Sequence, residues 1–165
     1  MRRQGTEQSE GFWFEPAEPT VPKLSWTRFE TALLIASALS VVVGMLVFAQ
    51  GWRMSPAWGR KNLRDALVLC GLYAGISLAA IRPRLMNLPV RVTQANVARQ
   101  ARLVRHLLLW VQLEAIWLMV IILVAKLDDA LGGTSADWFF PAFLAIFVSL
   151  WITMGVNLWS AYRAR

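Results

Sequence analysis

The sequence predicts an all-α fold, an integral membrane bundle of four helices with both termini in the cytoplasm, and three observations predict it. Hydrophobic residues make up 57% of the 165-residue chain, nine of them tryptophans, which is more apolar surface than one soluble core of this size needs. Four stretches, at about 31–52, 63–81, 107–126 and 138–160, run nearly free of charge. None alternates with period two, so each is expected as a helix, which closes its backbone hydrogen bonds internally as hydrocarbon demands. The third observation is an unequal division of basic residues between the connecting segments.

Residues 1–28 form a polar tail, rich in Glu and punctuated by Pro16, Pro19 and Pro22. The tail has no apolar core of a signal peptide, so it is expected to remain in the protein as a disordered cytoplasmic segment. The four-span domain occupies 29–165. Span two is the shortest, and it is expected to start at Leu63 with Arg64 and Asp65 among the headgroups. Asn62, three residues before Asp65, reads as its cap, and Thr134 stands in the same relation to Asp137 for span four. Pro141 is expected near the first turn of span four, and Gly132 with Gly133 reads as the turn before it.

A basic cytoplasmic linker, 82–106, joins spans two and three and holds Arg82, Arg84, Arg91, Arg99, Arg102 and Arg105 without an acid. With both termini on the linker side, twelve basic residues lie there and five lie opposite, namely Arg53, Arg60, Lys61, Arg64 and Lys126. Arginine-rich short segments stay in the cytoplasm, which sets the expected orientation. Trp26, Trp52, Trp58, Trp138, Trp159 and Tyr162 fall near span ends, where amphipathic rings favour headgroups. Within the linker, Pro89 is expected in extended chain and Thr93 as the cap of a helix continuing into span three.

Small residues recur at four-residue spacing in two spans, Ala36, Ser40 and Gly44 in the first and Gly71, Gly75 and Ala79 in the second. The two stripes are expected to face each other, because small side chains let backbones approach closely where lipid removes most hydrophobic drive. The alternative is a homodimer face. Trp110, Trp117, Phe139, Phe140, Phe143, Phe147 and Trp151 make spans three and four bulkier, suited to lipid or another subunit.

Glu114 is the one carboxylate inside a span. It lies eight residues beyond His106, or about 12 Å along the helix axis. The surrounding apolar residues outweigh its insertion cost of about 2.5–3.5 kcal/mol. Its functional reading is a proton-responsive or ligand-contacting group. Its structural reading is a hydrogen bond to a neighbouring helix, with Thr153 and Ser37 as candidate partners and Ser77 or Tyr73 as further ones. Arg99, Arg102 and Arg105 recur every third residue and are expected to contact anionic lipid headgroups at the cytoplasmic face.

The run carried by Asn87, Pro89, Val90, Val92, Thr93, Asn96, Arg99, Gln100, Arg102 and Leu103, followed by the span containing Glu114, resembles a family of small bacterial multi-span membrane proteins. That family is grouped under a domain of unknown function and is related to toxin-immunity membrane proteins. The resemblance covers about a quarter of the chain, and it implies a multi-pass protein of the bacterial inner membrane with no catalytic residues to carry over. The Pro/His/Phe motif of the family's first external loop is absent from residues 50–62.

The function classes follow from these residues. There is no Ser/His/Asp set, no pair of carboxylates in register and no phosphate-cradling loop, so no catalytic residue is expected and the protein reads as no enzyme. A single histidine, His106, and a single cysteine, Cys70, offer no metal or haem ligand set and no intrachain disulfide, so no cofactor is expected. The basic stripe is too short and too close to the membrane for nucleic acid. The leading expectation is an accessory or structural subunit of a larger membrane complex, its partners being other membrane subunits or copies of itself. A membrane sensor or immunity-type protein comes second, and a small transporter or channel component third.

Overall fold

A computed structural model of the protein describes residues 24–81 and 96–163. The expectations for the tail before residue 24, for Pro89 and Thr93, and for Arg82, Arg84 and Arg91 lie outside these residues. Four helices account for the fold: α1 (Arg28–Met54), α2 (Pro56–Ile81), α3 (Val97–Ala130) and α4 (Ala136–Arg163), with no strand among the described residues. Each is long and apolar enough to cross a membrane. The chain is an all-α bundle of four spanning-length helices, as its composition predicts.

A capping box starts α1. Thr27 is extended (φ −83°, ψ 158°), its Oγ1 accepts from Glu30 N at 3.1 Å, and Glu30 Oε2 accepts from Thr27 N at 2.8 Å. These two bonds satisfy amides that a helix start leaves without intrahelical partners. The helix runs to Met54, and Ser55 alone separates it from α2. Ser55 Oγ accepts from Trp58 N at 3.3 Å and so occupies the capping position expected of Asn62. Asn62 is instead buried within α2, donating its side-chain amide to Trp58 O at 2.9 Å. The expected beginning of span two at Leu63 therefore falls two turns inside a continuous helix, and the residues read as an external loop belong to α1 and α2.

Such a tight reversal needs room at the crossing, and glycine supplies it. Gly51 of α1 lies under the ring of Trp58, while Gly59 of α2 lies under the ring of Trp52; a Cβ at either position would overlap the indole. The α3–α4 connection uses a different device. Gly132 takes φ +83°, Gly132 N donates to Asp129 O at 3.2 Å and Gly133 N to Asp128 O at 3.0 Å. This is the paired bonding of a Schellman ending, which satisfies the last carbonyls of α3 and requires the left-handed backbone that glycine adopts freely. Thr134 Oγ1 meets Asp137 Oδ2 at 3.4 Å, whereas Ser135 is the residue whose carbonyl opens the hydrogen-bond ladder of α4 through Phe139 N. Pro141 lies inside α4, past its first turn, where its ring removes the usual donor to the Asp137 carbonyl.

Neighbouring helices in sequence run antiparallel, and α1, α2 and α3 pack mutually. Their core is a cluster of Leu69, Ile116, Val120 and Leu123, with a second of Leu33, Ala80 and Leu109 nearer the end where α1 begins. Among these elements α4 packs on α3 alone. The small-residue stripes do not meet. Ser40 and Gly44 are buried, Ala36 is half-buried, and a Cβ on Gly44 would touch Leu69 at 2.5 Å and Val120 at 3.1 Å. Gly71 and Gly75 are exposed with open space beside them, and Ala79 is half-buried. The helix α2 thus turns Leu69, not its glycines, into the notch at Gly44. Leu69 fills that notch and leaves no void at the crossing, as close packing of an interior requires.

Candidate functional site

Two buried polar nodes interrupt this apolar bundle, both anchored on α3. The first is centred on Glu114, which is 7% exposed and turned to α4. Its Oε1 accepts from Ser149 Oγ at 2.7 Å and from Thr153 Oγ1 at 3.0 Å, two hydroxyls one turn apart on the same helix face. Its Oε2 is buried without a hydrogen-bond partner among the described residues. Thr153 is thus where the spacing predicted it. Ser37 is not a partner: it lies buried on α1, its Oγ without a hydrogen bond among the described residues. Tyr73 and Ser77, the other candidates, belong to Gln112, whose Nε2 donates to Tyr73 O at 3.3 Å and to Ser77 Oγ at 2.9 Å. Gln112 and Glu114 are two positions apart, so they point to different neighbours and tie α3 to α2 and α4 at nearly one depth.

The second node lies where α1 begins. Glu30 is fully buried, with Oε2 3.6 Å from Arg105 Nη1 and Oε1 3.3 Å from His106 Nε2. The guanidinium of Arg105 also sits 4.9 Å from the ring centroid of Trp26, and Phe29 meets His106 edge-on at 5.7 Å. Glu30 therefore caps its own helix and binds α3 at once. Its Oε1, along with Arg105 Nε and Nη1 and His106 Nε2, is buried without hydrogen-bond geometry among the described residues. Attraction between the Glu30 carboxylate and the Arg105 guanidinium, strong where water is excluded, is set against the cost of burying them.

Arg105 was expected at the lipid headgroups, and its burial corrects that reading. Successive residues on a helix turn by about 100°, so a spacing of three cannot keep Arg99, Arg102 and Arg105 in one line. Arg99 and Arg102 are exposed, whereas Arg105 has rotated into the bundle, where Glu30 supplies the opposite charge. Glu30, Gln112 and Ser149 carry much of this polar framework and were not singled out from sequence. A signal existed for Glu30 in the Thr27 to Glu30 spacing before an apolar run. For Gln112 and Ser149 no local pattern distinguishes a buried amide or hydroxyl from an exposed one.

At the other end of the bundle Lys126 pairs with Asp65, and Trp58 Nε1 donates to Lys126 O at 3.1 Å. Trp138 Nε1 donates to Asp128 Oδ2 at 3.3 Å and ties the start of α4 to the end of α3. Among the described residues no three His, Cys, Asp or Glu side chains come together as a metal site.

These features define a class: a multi-pass membrane protein whose three-helix core is pinned by two buried polar nodes and flanked by a fourth helix. Comparison with protein-family models, with curated proteins and with solved structures finds no match.

Proposed function

We propose that this protein is a non-enzymatic accessory subunit of a larger membrane complex, with α4 as the helix offered to its partner. One observation carries the reading. The three-helix core is complete without α4, no residue of the most apolar stretch of α4 is buried, and that helix bears a surface of Phe140, Phe147, Trp151 and Ile152. Ring contacts at 6.0–6.2 Å link Phe139, Phe143, Phe147 and Trp151 along it. Rigid aromatic side chains lose little entropy on packing and are favoured in the centres of protein interfaces. Glu114 then serves to hold α4 in register on α3.

Purification from native membranes in mild detergent, followed by mass spectrometry of stoichiometric companions, tests this. A defined larger complex that is lost in Phe147→Ala/Trp151→Ala supports the proposal. A monodisperse monomer or homodimer, or a complex indifferent to those substitutions, contradicts it.

A second reading, a membrane sensor, draws on the Glu30, Arg105 and His106 node, where a buried carboxylate, a guanidinium and the chain's single imidazole join two helices. It requires that His106→Gln alter signalling without altering complex formation.

A further inference from the structure

The hydrogen bonds of Glu114 to Ser149 and Thr153, together with that of Trp138 to Asp128, fix the antiparallel register of α3 and α4. Extended along both helices, that register sets His106 level with Trp159 and Arg102 level with Arg163. Both arginines are exposed. Trp159 is 58% exposed, and the Arg163 guanidinium lies 4.8 Å from its ring centroid. An exposed indole at a helix end favours the headgroup layer, so it marks the depth at which these guanidinium groups sit.

Among the described residues, no exposed acid balances the charge at this end. Arg28, Arg99, Arg102 and Arg163 are exposed, and the one acid here among the described residues, Glu30, is buried against Arg105. The opposite end is nearly balanced, with Arg53, Arg60, Lys61, Arg64 and Lys126 beside Asp65, Asp128, Asp129 and Asp137. Guanidinium forks match phosphate oxygens in pairs, which a layer of zwitterionic headgroups rewards less than an anionic one.

We propose that the seam between the first turns of α3 and the last turns of α4 binds the headgroup of an anionic phospholipid, with Arg102 and Arg163 holding its phosphate and Trp159 lying along its glycerol region. This site is independent of the accessory-subunit reading. It also differs from a uniform basic stripe on α3, since Arg105 is withdrawn and α4 provides half of the contact.

The test uses the full chain, reconstituted with phosphatidylglycerol or phosphatidylcholine, diluted into mild detergent and assayed for retained lipid by mass spectrometry. Wild type should retain phosphatidylglycerol preferentially, and Arg102→Gln/Arg163→Gln should weaken that retention by about fivefold per arginine, roughly 25-fold together. Arg60→Gln/Arg64→Gln, at the opposite end, should leave it unchanged. Equal retention of both lipids by wild type, or an equal loss in the two double variants, overturns the proposal. Should the first variant fail to fold, wild type decides alone: its preference must fall as salt is raised in the wash, and a preference insensitive to salt refutes the site.

Discussion

Glu30 of α1 and Arg105 of α3 approach to 3.6 Å in an interior where their side chains are 0% and 4% exposed. Seventy-five positions separate them in the chain, and no span-based reading pairs them. Because Glu30 also completes the capping box with Thr27, one carboxylate sets both where α1 starts and how it sits against α3.

Removing one partner of this pair leaves the other charge buried alone. Arg105→Met should therefore cost about 3–5 kcal/mol, whereas Glu30→Gln/Arg105→Met should recover most of that loss. Glutamine keeps the capping geometry, so the comparison isolates charge from cap. Reversible unfolding in detergent micelles, followed by circular dichroism, measures both; a single substitution costing under about 1 kcal/mol would show that the pair does not hold the helices together.

The two glycine stripes should respond in opposite ways. Gly44 abuts Leu69 and Val120, so Gly44→Leu should overpack the core at about 1–3 kcal/mol. Gly75 has open space around it, and Gly75→Leu should change stability by no more than about 0.5 kcal/mol. Equal penalties in a monomeric preparation would mean that α2 is rotated from the position described.

Glu114 should act through its acceptor oxygen on α4. Ser149→Ala and Thr153→Val are each expected to cost about 0.6 kcal/mol, the average for hydrogen bonds between membrane helices. Glu114→Gln retains an acceptor and should be milder than Glu114→Leu. A double-mutant cycle between Glu114→Leu and Thr153→Val provides the check, and a coupling energy of zero would remove Glu114 as the tie between α3 and α4.

At the opposite end, the Lys126 side chain is 44% exposed, so its pair with Asp65 is open to water. Asp65→Asn and Lys126→Met should each fall within about 1 kcal/mol of wild type and lose their effect at high salt. A larger penalty would place this pair in a drier setting than its exposure indicates.

The sequence by itself determined the class of fold. Length and apolarity of the four stretches required helices, the Gly132–Gly133 pair ended α3 where expected, and the depth of Glu114 put Thr153 among its candidate partners. These are local properties, set by the backbone's need for internal hydrogen bonds in hydrocarbon. The facing of each helix was decided only in the tertiary structure. A helix in lipid can turn almost any apolar side outward, because lipid and protein interior are similar solvents for such side chains, so hydrophobic pattern gives little rotational information. Packing and charge pairing chose the rotation instead: Leu69 entered the notch at Gly44, Gly71 and Gly75 turned out, Arg105 turned in to reach Glu30, and Ser37 gave way to Ser149 beside Glu114.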